Sequence, residues 1–190
     1  DILLDVRPQD WDICTSALPE QVLDIFPGSR PTGIKHGTVT VVIGSRSAEV
    51  TTFRSEGDYA DHRHPSSVAF VGDLTTDLMR RDFTMNAMAV SADGLIIDPF
   101  GGAEDIRRGC IRCVGAPEKR FDEDALRMLR AFRFSSRLGF EIEPATLAAI
   151  GKKAPLAASL AAERVSTEVE KILLTARPET LQTVISLGLL

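Results

Sequence analysis

The chain is 190 residues long, 44% hydrophobic, 26% charged and 6% aromatic, the profile of a globular protein of one domain or two small ones. It contains no uncharged apolar run of about 18 residues, and its opening, DILLDVRPQDWD, carries charge where a secretory leader needs an apolar stretch, so neither a membrane span nor a leader is expected. Three cysteines are too few, and odd in number, for a disulfide scaffold, which points to a reducing compartment and a cytoplasmic setting.

The net charge of −5 joins unlike halves: residues 1–105 carry −9 and residues 106–190 carry +4, and the basic set is 17 Arg to 5 Lys. Two solvated surfaces would give this pattern. So would an acidic, metal-holding half followed by an arginine-rich half that meets phosphates and base edges.

The first half reads as mixed α/β. Trp11 to Thr15, the β-branched Thr38 to Ile43 and the alternating Glu49 to Arg54 are predicted strands. Ala87 to Ser91 and Leu95 to Ile97 flank a turn at Ala92-Asp93-Gly94 and form a predicted hairpin. Pro19 to Phe26 and Asp73 to Arg81 are predicted short helices, the first with proline in its opening turn. Ser55 to Pro65, polar and aperiodic, reads as a long loop. From Asp122 the period turns helical, with Asp122 as N-cap and Gly139 as stop. Glu123, Arg127, Arg130 and Phe134 recur at helical spacing on one side, and Ala125, Leu129, Phe132 and Ser136 on another. A second helix over Ala161 to Leu174 sets Val165, Val169, Ile172 and Leu173 on one stripe, and a third is expected after Pro178.

Three constellations carry chemistry. In Asp10-Trp11-Asp12 the two acids project from one face of a strand, and like charges that close favour a shared cation such as Mg²⁺. Glu49 on another strand would extend the cluster toward two-metal chemistry; taken alone, such acids are more often solvated strand residues. Arg80-Arg81-Asp82, with Asn86 following, offers charge for a triphosphate and hydrogen bonds for a ribose, or simply neutralises a helix end. Glu123-Asp124-x-x-Arg127, with Arg130 and Arg133 beyond, is either an ordinary helical ion pair or a carboxylate and guanidinium presented to a base edge. Asp61, His62, Arg63 and His64 read as a phosphate- or RNA-facing loop. Cys110-x-x-Cys113 lacks a second pair and reads as strand packing. P-loop, dinucleotide-binding and nucleophile-elbow signatures do not occur.

Taken in order, DWDICTSALPEQV, HGTVTVVIG, EVTTFRSEGDYADHRHPSSVAF, DLMRRDFTMNAMAV, DPFGGAEDI, IRCVGAPEKRFDEDALRMLRAFRFSSRLGF and AAERVSTEVEKILL resemble the class II CCA-adding tRNA nucleotidyltransferases of bacteria, relatives of bacterial poly(A) polymerase. The resemblance implies an α+β fold: a polymerase-beta-like nucleotidyltransferase head with a mixed sheet over residues 1–105, then an all-α neck and the start of the body over 106–190. It makes Asp10 and Asp12 metal ligands for Mg²⁺ and Glu49 the carboxylate that assists the attacking hydroxyl. Arg81 would contact the nucleotide, Asp82 and Asn86 its ribose. Glu123, Asp124 and Arg127 match a protein template for the CTP or ATP base, Arg130 and Arg133 would add phosphate contacts, and Asp61 and Arg63 lie in a loop tied to the change from C to A addition. The family's Gly-Gly turn would precede Asp1 and its tRNA-gripping body and tail would follow, so the chain is expected to be part of a longer enzyme acting on the tRNA 3′ end. An A-adding or CC-adding specialist, a poly(A) polymerase and an inactive RNA-binding module are the alternatives.

Overall fold

The computed structural model describes residues 2–8, 11–57, 59 and 65–190. Contacts divide the chain into two compact units, residues 1–58 with 65–80 and residues 59–64 with 81–190.

The first unit is built on a four-stranded mixed sheet. Its elements are β1 (Asp12–Thr15), α1 (Pro19–Ile25), β2 (Arg30–Gly33), β3 (Thr38–Ile43), β4 (Arg46–Thr52), β5 (Arg54–Glu56), β6 (Val68–Phe70) and α2 (Leu74–Met79). The sheet order is β1-β4-β3-β2, with β1 parallel to β4 and the other pairs antiparallel. Period-2 alternation decides which face packs: Val39, Val41 and Val50 point to one side and close over Val22 of α1, and Thr38, Thr40, Glu49 and Thr51 point to the other. Gly44, at φ 60°, lets β3 and β4 join through two residues, a conformation a side chain would resist. The run predicted as one strand from Glu49 to Arg54 breaks at Phe53, whose N–H bonds Thr15 and whose carbonyl accepts from Val71. Beyond that break, β5 pairs with β6 as a separate hairpin, so the segment predicted as loop from Ser55 begins as strand.

The second unit holds β7 (Ala89–Val90), β8 (Ile96–Ile97), α3 (Gly102–Arg107), β9 (Cys110–Ile111), α4 (Pro117–Glu123), α5 (Leu126–Leu138), β10 (Glu141–Ile142), α6 (Pro144–Lys153), α7 (Ala162–Leu173) and α8 (Thr180–Ser186). Its core gathers Phe83, Ile111, Phe121, Met128, Leu129, Ile150, Ile172 and Val184. The predicted helix from Asp122 to Gly139 is two helices. Pro117 opens α4, which contains Asp122, and Asp124 is extended (φ −144°, ψ 106°) at the break. The Asp124 carboxylate takes the Leu126 N–H at 3.1 Å and its carbonyl takes the Arg127 N–H at 3.0 Å, so Asp124, not Asp122, bonds the opening turn of α5, whose N-cap position is Ala125. On α7 the expected stripe is half correct: Ile172 is fully buried, Leu173 is 56% exposed, and Glu168 is buried in its place. Helices α3 and α6 were not expected from periodicity. Asp98 caps α3 by accepting from the N–H groups of Gly102 (2.7 Å) and Ala103 (2.9 Å).

Candidate functional site

The predicted site residues fall into two sets, one in each unit. In the first unit, the parallel register sets Asp12 of β1 beside Glu49 of β4, and the antiparallel register sets Glu49 beside Thr40 of β3. Alternation turns all three away from the valine-packed face. They line a cleft of about 490 Å³ together with Trp11, Ser47 and Ala48. Among the described residues neither Asp12 nor Glu49 has an ion-pair partner, and no group of three His, Cys, Asp or Glu is gathered. Two like charges on adjacent strands are unfavourable on their own, and a hard cation with oxygen ligands would relieve them. The donor set therefore fits a divalent metal. Asp10, the other predicted ligand, lies outside the described residues, as do Asp61 and Arg63.

In the second unit, the Thr84–Asn86 turn of 3₁₀ helix presents Asn86, and Asp82 precedes it. The Asp82 carboxylate is saturated with protein donors: Oδ1 accepts from the Phe83 N–H (2.8 Å) and the Asn86 amide (3.1 Å), and Oδ2 from Arg130 Nε (2.8 Å) and Nη2 (2.6 Å). Burial would raise its pKa, but the Arg130 charge and these hydrogen bonds outweigh burial and hold it below the usual carboxylate range. Arg81 Nη1 reaches the Asn86 carbonyl at 3.4 Å, so the first three predicted nucleotide contacts form one cluster with Arg130. Gly102 sits so close to this turn that a β-carbon there would lie 2.2 Å from the Thr84 carbonyl oxygen. Asp105 supports the same turn, accepting from the Thr84 hydroxyl at 2.6 Å and from Arg112 Nη2 at 2.8 Å.

The predicted base reader lies at the α4–α5 break. Glu123 accepts from Arg127 Nη1 at 2.7 Å and from Arg120 Nη2 at 2.5 Å, which orients the Arg127 guanidinium. Asp124 is gripped from α7 by Arg164, Nη1 to Oδ1 at 3.2 Å and Nη2 to Oδ2 at 2.8 Å. Arg133, expected at a phosphate, donates from Nε to Glu168 at 2.6 Å and lies over the Phe134 ring at 4.1 Å. Sequence reasoning missed Arg164, Glu168 and Arg120. The only readable signal was the four-residue spacing of Arg164 and Glu168, which suggests a pair within α7; instead each reaches a different partner across the unit. The C-x-x-C cysteines carry no site. Cys113 is buried and its thiol is pushed up to about 12, chiefly by burial, so it is a packed thiol rather than a thiolate ligand.

Residues 1–112 match the poly(A) polymerase head domain, and residues 139–190 match the segment described as the probable RNA- and SrmB-binding site of polymerase A. The chain belongs to the poly(A) polymerase head-domain family. Members of this family generally use divalent metals, in keeping with the Asp12–Glu49 donor set.

Among curated relatives, the CCA-adding enzyme of Geobacillus stearothermophilus is 57% identical over 91% of this chain and 43% of its own length, and that of Lactobacillus helveticus is 51% identical over 90% and 43%. The chain thus spans less than half the length of the curated relatives it matches. A crystal structure of the Bacillus stearothermophilus CCA-adding enzyme in complex with CTP aligns with TM-score 0.89 and 51% identity, covering 100% of this chain and 46% of that one. The Thermotoga maritima CCA-adding enzyme complexed with tRNA aligns at TM-score 0.79 and 28% identity, covering 100% and 44%. The α+β fold expected from the motifs, a nucleotidyltransferase head with a mixed sheet followed by helices, is the fold observed.

Proposed function

We propose that this chain is the nucleotide-adding part of a template-independent RNA nucleotidyltransferase that adds C, C and A to the 3′ end of tRNA from CTP and ATP. The observation that carries the reading is the Asp12–Glu49 pair on the open face of the sheet, in a chain similar to enzymes named for CCA addition. Residues 1–105 serve as the head and 106–190 as the neck with the start of the body. A tRNA substrate is consistent with a cytoplasmic enzyme, and among the described residues no helix is long and apolar enough to cross a membrane.

In the reaction, the tRNA 3′-hydroxyl oxygen forms a bond to the α-phosphorus of the nucleotide as the bond to the pyrophosphate oxygen breaks, and pyrophosphate leaves. Mg²⁺ held by Asp12 and Asp10 would supply charge neutralisation for the transferring phosphate and lower the pKa of the hydroxyl. Glu49, beside Asp12, takes the hydroxyl proton. Asn86, oriented by Asp82, offers its amide to the ribose, while Arg81 and Arg130 supply guanidinium charge to the phosphates. Asp82 acts through Asn86 and Arg130, since its acceptor positions are filled by protein donors. Arg133 acts through its packing on Phe134 and its pair with Glu168.

For the base, the Asp124 carboxylate accepts and the Arg127 guanidinium donates. Cytosine and adenine each present an amino donor beside a ring-nitrogen acceptor, whereas uracil and guanine present the reverse. A mismatched edge leaves buried groups unsatisfied at about 1–3 kcal/mol each.

The test is incorporation by the full-length protein on tRNA lacking its 3′ CCA, with Mg²⁺ and CTP, ATP or both, beside Asp10→Ala and Asp12→Ala. Ordered C, C, A addition that both substitutions abolish is the expected result. A-only or run-on A addition would select a specialist or a polymerase instead, and no incorporation under any condition would leave an RNA-binding module.

A further inference from the structure

Asp124 occupies a position where the backbone alone does not fix a side chain. It is extended between two helices, and a carboxylate there rotates unless something outside the junction holds it. The Leu126 N–H engages Oδ1 at 3.1 Å, which limits one oxygen but leaves the plane of the group free to pivot about that contact. The second constraint comes from α7, forty residues on. Arg164 places Nη1 on Oδ1 and Nη2 on Oδ2, a two-point fork that sets the carboxylate plane.

Helix α7 is in turn a firm base for that fork. One turn beyond Arg164, Glu168 is buried and takes Arg133 Nε at 2.6 Å, and one turn further Ile172 is fully buried in the core. The acceptor and the donor of the base reader therefore have separate supports. Asp124 is held by α7 through Arg164, and Arg127 is held by α4 through Glu123 and the Arg120 carbonyl.

We propose that Arg164 is the positioning residue that aims the Asp124 carboxylate, and that nucleotide selectivity, not only stability, depends on its two-point grip. This rests on the base-reading role proposed above for Asp124. The fork satisfies one side of the carboxylate, and the remaining acceptor direction of Oδ2 is the one a base amino group meets. Without the fork, the carboxylate samples other rotations, so the amino-bearing edges of cytosine and adenine lose their advantage over uracil and guanine. A lysine at this position keeps the charge but makes one contact where the guanidinium makes two.

The experiment measures kcat/KM of the full-length protein for CTP against UTP on tRNA lacking CCA, and for ATP against GTP on tRNA ending in CC. The variants are Arg164→Met, Arg164→Lys, Glu168→Gln and Asp124→Ala, with circular dichroism melting for each. Asp124→Ala is expected to erase the preference. Arg164→Met should cut it by about 10-fold, the equivalent of one well-placed base contact, with Arg164→Lys intermediate. Glu168→Gln, which loosens α7 without touching Asp124, should lower rates for all nucleotides alike. Should Arg164→Met fail to fold, Arg164→Lys decides alone. If the Arg164 variants keep the parent preference while Asp124→Ala loses it, base reading stands and the role of Arg164 is overturned. If Glu168→Gln shifts the preference as far as Arg164→Met does, the effect is general packing of α7 and the inference fails. If Asp124→Ala keeps the preference, the base-reading assignment itself falls and takes this inference with it.

Discussion

Replacing Asp82 by Asn keeps the shape of the side chain and removes its charge, which isolates what the Asp82–Arg130 pair contributes. The amide must turn either an NH₂ toward the Arg130 guanidinium or an NH₂ toward the Phe83 N–H and the Asn86 amide, so at least one donor faces a donor. Breaking a buried pair by removing one partner costs about 3–5 kcal/mol. The Asp82 side chain is 8% exposed and that of Arg130 is 34%, so the stranded arginine regains part of its hydration, and about 2 kcal/mol is the expected loss. Native-state hydrogen exchange at the buried α5 amides of Leu129 and Ala131 reads the opening free energy of this unit directly.

A cycle of Asp82→Asn, Arg130→Met and the double variant should show a coupling above about 1 kcal/mol at neutral pH. The pH dependence has a defined sign. The folded carboxyl lies below its ordinary value of 3.8, so its contribution is fully present above that value and is lost as pH falls through the lower folded value. The gap between parent and Asp82→Asn should stay constant from neutral pH down to about pH 5 and close at more acid pH. A coupling under about 0.5 kcal/mol would show that the pair is an ordinary screened contact, and a gap that persists in strong acid would show that the loss does not come from the charge of Asp82.

Glu49→Gln should lower kcat by about 10²-fold or more, the range for loss of a proton acceptor, with little change in nucleotide affinity by equilibrium titration; an unchanged kcat would remove Glu49 from the chemistry. Gly102→Ala forces a β-carbon to within 2.2 Å of the Thr84 carbonyl, so the turn that presents Asn86 must move. A loss of about 1–3 kcal/mol in stability with weakened nucleotide binding is expected, and normal binding would detach the turn from the site. Cys113, buried and with its thiol raised to about 12, should react with a thiol reagent only when the protein unfolds; fast labelling of the native protein would contradict the packing.

The strands and helices that the sequence announced are those in which one period dominates. Thr38–Ile43 was predicted to the residue, because β-branched alternation and a glycine turn leave no competing reading. The predicted α1 and α7 ended within a residue or two of the observed bounds. What misled was chemistry that acts at a single residue. Asp124 interrupts an otherwise continuous helical pattern, because its side chain and carbonyl bond the N–H groups of the following turn, and a running period does not register one such residue. Helix α3 was hidden because its opening is Gly-Gly and its cap, Asp98, lies outside the usual cap position. At the site, strand alternation was enough to turn Asp12 away from the valine-packed face, but the register that sets it beside Glu49 was not legible, since a parallel pairing leaves no local mark in either strand. The long-range partners of the arginines were wholly illegible, because spacing along a helix reports neighbours at four residues and says nothing of a carboxylate forty residues away.

Those partners change the meaning of the charge asymmetry. The +4 of residues 106–190 suggested a basic surface open to phosphate. Instead, Arg112, Arg120, Arg127, Arg130, Arg133, Lys153 and Arg164 each contact a carboxylate. Ordering a free arginine side chain costs up to about 2 kcal/mol. On the proposed function, much of that cost would fall on folding rather than on nucleotide binding, and an incoming phosphate or base would meet guanidinium groups already oriented. Such an arrangement would limit affinity, because a ligand would share each guanidinium with its carboxylate, and would sharpen discrimination, because a group that is already aimed cannot follow a mismatched edge. Side chains held in partly buried pairs are screened less than free surface charge, so salt should weaken tRNA and nucleotide binding more than it relaxes the choice between cytosine and uracil.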